Sequence, residues 1–84
     1  MNDSVKDWVD TSAYSTALGM HLSELGDEAA VIALPFAEAN ANPGNALHGG
    51  VAASASVTAA HALARHVLGP ETGPWHTMDF QINY

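Results

Sequence analysis

The chain has 84 residues, no cysteine, and nine carboxylates against two strong cations, Lys6 and Arg65. That length excludes more than one domain. The missing thiols exclude a disulfide framework and a cysteine nucleophile, and the acidic balance excludes nucleic acid as a partner, because phosphate backbones are repelled.

With 48% apolar and 13% charged residues, the composition is that of a folded chain rather than a disordered one. A domain this small is marginal alone. No long uncharged apolar run reads as a membrane span, and the first residues do not read as a signal peptide. No membrane partner and a cytoplasmic location are therefore expected.

Residues 1–10 are polar and acidic and predict a mobile arm or a short helix, with Trp8 as an anchoring aromatic. Ser12 offers an N-cap and Gly19 a stop, which predicts a short helix between them. Residues 20–25 partly alternate, with Met20 and Leu22 on one side, and predict a strand. Gly26-Asp27-Glu28 supplies a turn, and the apolar run from Ala29 to Leu34, stopped by Pro35, predicts an antiparallel partner. Residues 36–45 read as loop.

The chain is organised around the stretch from Asn42 to Val51 and the alanine-rich run behind it. A helix is predicted from His48 to Leu68, about 30 Å long. Val51, Ala55, Ala59, Leu63 and Val67 fall on one face, and alanines make the others small and apolar, so burial on most sides is expected. Its first turn would point free N–H groups at whatever lies in front of it, a setting that stabilises a developing oxyanion. Gly69-Pro70 ends the helix, residues 71–74 are a linker, and residues 75–84 alternate as a third strand that is still running at Tyr84. So few strands beside so apolar a helix suggest a fragment, or strands supplied by another chain.

These residues resemble the hotdog-fold acyl-CoA thioesterases of the phenylacetate-degradation and 4-hydroxybenzoyl-CoA type. The resemblance runs from about Leu18 to Tyr84, leaving residues 1–17 as an N-terminal arm. It rests on Asn42, Gly44 and Leu47-His48-Gly49-Gly50-Val51, on the small-residue helix, and on the strand from Thr77 to Tyr84. It implies an α+β hotdog fold, a long central helix wrapped by a curved antiparallel sheet, with the later strands missing here. It also implies hydrolysis of an acyl thioester, an acyl-CoA first of all, by a homodimer or homotetramer, with no cofactor. By this resemblance Asn42 orients the thioester or the attacking water, the Gly49 N–H polarises the carbonyl, Thr77 positions water, and Gly50 and Asn45 bind substrate. The family's catalytic carboxylate falls nine residues after the histidine, where this chain has Val57. A non-catalytic acyl-binding or oligomerising module is therefore the alternative, and a fragment without independent function the blandest reading.

His48 is a base by residue type, although a histidine bonding backbone around the loop is the weightier reading. His61 and His66 lack the one-turn spacing of a helical metal pair, so no metal is expected. Ser54, Ser56 and Thr58 lie in no nucleophile elbow and are expected to bond carbonyls one turn back. Asp79 is a substitute base of lesser weight than a surface carboxylate.

Overall fold

The computed structural model describes residues 3–69, 77 and 79–82. They form an α+β domain with the order α1 (Asp3–Asp10), α2 (Ala13–Leu18), β1 (His21–Leu25), β2 (Ala30–Ala33), a single 3-10 turn (Glu38–Asn40) and α3 (Gly49–Leu68). Strands β1 and β2 pair antiparallel in a two-stranded sheet. Residues 70–76, 78 and 83–84 lie outside the description, and with them the expected linker and Trp75, His76, Met78, Asn83 and Tyr84 of the expected third strand.

Each short element forms where local chemistry starts and stops it. The Ser12 hydroxyl accepts the Ser15 N–H at 3.1 Å, and Gly19 closes α2 in the left-handed region at φ 77°. That conformation is nearly free for glycine and strained for other residues. In α1, Val5 and Val9 stand four apart on one face, and both are buried. With Leu22 and Ala62 they form the core, against which Leu25, Ala30 and Ile32 pack. Trp8 is partly exposed, with the Arg65 guanidinium 4.9 Å from its ring centroid, so it anchors α1 on α3.

The hairpin carries one irregularity. Leu22 pairs with Ile32 and Glu24 with Val31, so Ser23 is an extra residue in β1, the pattern of a β-bulge. Its hydroxyl donates to the Val31 carbonyl at 3.4 Å. The bulge turns Leu25 to the same side as Leu22, which unbroken alternation would forbid.

Two expectations are corrected. Thr77 and residues 79–82 make no ladder, so no third strand exists among the described residues. Alternation there favours a strand but does not supply an edge to pair with. The long helix is also less buried than its composition implies. Ala53 and Ala62 are its buried residues, while Val67 and Leu68 are more than half exposed. Those two alanines are nine apart, about two and a half turns, and so lie on opposite sides. Two strands of five and four residues cannot wrap a helix of 20. They reach about 17 Å along a rod of about 30 Å and span little of its girth.

Asp10 ties α1 to the hairpin. Its carboxylate accepts the Leu22 N–H at 2.8 Å and a hydrogen bond from Lys6, which also donates to the Leu22 carbonyl at 3.1 Å. Burial raises the Asp10 pKa, but the bonds from Lys6 and Leu22 and the charges of Lys6 and His21 outweigh it and hold the group below its ordinary 3.8. A carboxylate depressed in the folded state contributes stability above its unfolded pKa, and that stability is lost as pH falls below about 4. Asp10→Asn should cost about 1.5–3 kcal/mol at neutral pH, the range for a bond to a charged group. It should also flatten the loss of urea resistance below about pH 4, and an unchanged acid slope would show that Asp10 carries none of it.

Candidate functional site

The loop ahead of α3 is tightly self-bonded. Ala41 bridges Leu47, the Asn42 N–H donates to the Ala46 carbonyl at 2.7 Å, and the Asn45 N–H donates to the Asn42 carbonyl at 2.9 Å. The Asn42 side-chain oxygen accepts the N–H groups of Gly44 at 2.9 Å and Ala46 at 3.2 Å. This is an Asx turn, so the oxygen is spent on holding its own loop. Asn45 sits at φ 58°, a left-handed position that asparagine tolerates, and is exposed. Neither asparagine lines the clefts beside α3 described below.

A different asparagine does the anchoring. Asn40 is buried, its amide donates to the Leu18 carbonyl at 2.8 Å, and its own carbonyl accepts the His48 N–H at 2.8 Å. The end of α2 thereby fixes the start of α3. Asn40 lies outside the spacing to His48-Gly49-Gly50 that singles out Asn42, the same residue type two positions on.

His48 caps α3. Its Nδ1 accepts the Gly50 N–H at 2.9 Å, and its carbonyl accepts Val51 and Ala52. A Cβ at position 50 would lie 3.1 Å from that Nδ1, so a larger residue there would have to displace the imidazole slightly from its capping bond. Three donors of the first turn are thus taken, since the N–H groups of Gly50, Val51 and Ala52 all bond His48. His48 acts on backbone, as the weightier of its two readings has it.

From this cap an apolar cleft of about 530 Å³ runs along α3. Gly50, Ala53, Ser54 and Val57 make its floor, and Tyr14 and Phe80 flank it. The Tyr14 hydroxyl lies 2.8 Å from Ser54 Oγ, which ties α2 to α3 at the cleft. The hydroxyls of Ser54, Ser56 and Thr58 donate to the carbonyls four residues back at 3.0, 3.1 and 2.9 Å, so none is poised as a nucleophile.

Thr77 lines the same cleft, and its Oγ1 lies 3.0 Å from His61 Nε2. Thr77 and Phe80 share this wall although their numbers differ by an odd step, which strand alternation would not allow. The structure thus brings Gly50, Val57 and Thr77 to one cleft and leaves Asn42 and Asn45 on the loop before it. Among the described residues no carboxylate lines the cleft, no group of three metal-ligating side chains occurs, and no helix is long and apolar enough to cross a membrane. No family model, curated protein or solved structure matches the chain.

Proposed function

We propose that this chain is a hotdog-type module that hydrolyses an acyl thioester, taking the acyl chain along α3. The carrying observation is the apolar cleft that starts at the His48-Gly49-Gly50 cap and has a hydroxyl, that of Thr77, in its wall. An acyl chain gains about 0.8 kcal/mol per buried methylene, and this cleft offers apolar floor over two turns. The thioester carbonyl would face the positive end of α3, a fixed charge of about half an electron, and would compete with His48 for the Gly50 N–H. Thr77 would hold the attacking water. The half-exposed helix suits the homodimer or homotetramer of the resembling family, with a second copy supplying further cover. An acyl-CoA is the first substrate class to try.

A second reading, acyl binding without turnover, is favoured by Val57, which stands in the cleft where the family carries its carboxylate. The test is thiol release from a panel of acyl-CoAs by the full chain, with binding of a fluorescent acyl-CoA measured beside it. Ala53→Leu adds three carbons to the cleft floor and should weaken binding and turnover at least about tenfold, the effect of displacing two methylenes of ligand. Binding without thiol release would favour the second reading. Neither binding nor release would overturn both.

A further inference from the structure

We propose that His61 is the proton acceptor of this site, acting through the Thr77 hydroxyl. The inference rests on the hydrolase reading above and supplies what that reading lacks, a base. His61 Nε2 is 3.0 Å from Thr77 Oγ1, within the range of working nucleophile–base pairs. His61 follows Val57 by four residues in α3. It therefore stands on the same face, about 6 Å further along the axis. The base has moved one turn along the helix from the position where the resembling enzymes hold a carboxylate. The depression that His61 lines adjoins the acyl cleft, with Thr58 and Tyr14 lining both, and Thr77 links them, since it lines the cleft and reaches His61.

Among the described residues no carboxylate lines either depression beside His61. Tyr14 of α2 shares its groove, and Arg65, one turn on, is held over the Trp8 ring. Asp79, on the segment that carries Thr77, is exposed and lines neither depression. His66 is turned to Asp27, 3.1 Å away.

The step balances without an added reactant. Water held at Thr77 gives a proton to the threonine oxygen as that oxygen gives its own to Nε2. The resulting hydroxide oxygen bonds to the thioester carbon. The C–S bond then breaks, and the departing thiolate takes the proton from Nε2, which leaves free acid, thiol and neutral imidazole.

The experiment is thiol release against pH for the wild-type chain, His61→Gln, Thr77→Val, Thr77→Ser and Asp79→Asn, each checked by its melting curve. His61→Gln should lower kcat about a hundredfold or more, the worth of a positioned base. It should leave acyl-CoA binding unchanged and abolish the acid limb of the kcat/KM profile, which a merely structural role would not move. Thr77→Val should do the same and add nothing to His61→Gln, Thr77→Ser should bring back the limb that Thr77→Val removes, and Asp79→Asn should keep the activity and the limb. An active His61→Gln chain that retains its acid limb overturns the relay and spares the hydrolase. A wild-type chain that binds acyl-CoA but releases no thiol overturns the hydrolase reading and the relay with it.

Discussion

In a chain that lacks the His61 imidazole (His61→Gln), Val57→Asp should raise thiol release from acyl-CoA by about a hundredfold or more, because a positioned general base contributes two to four powers of ten. Val57 is half-buried in the cleft floor, one turn from His61. A carboxylate there meets an apolar wall, and desolvation pushes its pKa upward, toward the range in which a base works best near neutral pH. The substitution will cost stability for the same reason, so the rate must be read on protein shown to be folded. Val57→Asn controls for shape, since it adds polarity without a base and should give no gain. The more pointed comparison is with the wild-type background. There His61 already accepts the proton, so the new carboxylate should add much less than it restores in His61→Gln. No gain in either background, with acyl-CoA still bound, would mean that the thioester does not sit over this turn of α3.

Leu22→Ala is the change with the largest expected effect on stability, about 3–5 kcal/mol. Leu22 is fully buried at the meeting of α1, the hairpin and α3, against Val5, Val9 and Ala62. A domain of this size has about 4–12 kcal/mol in all, so one truncation removes much of it. The comparison is Val31→Ala on the outer face of β2, where 42% of the residue is exposed. That change should cost less than about 1 kcal/mol, as exposed positions do. Urea unfolding of the two variants measures both. Equal losses would show that the hairpin does not present Leu22 to the core.

What could be read from the sequence was what neighbouring residues decide. Ser12 and Gly19 bound α2, Pro35 follows β2 closely, and His48 and Gly69 flank α3, because caps and breakers act within a few residues. His48 as a cap was legible for the same reason. What stayed hidden depends on partners far along the chain. Ten alternating residues at the end read as a strand, yet a strand exists only where an edge receives it, and the described part lies along α3 instead. The alanine-rich helix read as buried on most sides, although burial depends on how much sheet there is to cover it. The spacing of His61 to His66 bears only on metal binding, while the actual neighbour of His61, Thr77, is 16 residues away. Asn40 and Asn42 differ only in where the loop carries them, so composition could not tell which would be buried.

The extra residue at Ser23 carries a consequence for the whole sheet. A pleated strand keeps a two-beat rhythm, and Leu22 and Leu25 are out of phase in it by half a beat. Ser23 resets the phase, so both leucines reach the core from one short strand. The same residue sets the local bend and twist of the hairpin. Curvature and phase are therefore controlled by a single position and cannot vary independently. A hairpin without the extra residue would turn one of its two leucines out to solvent, so the bulge is enforced by which side chains must be inside.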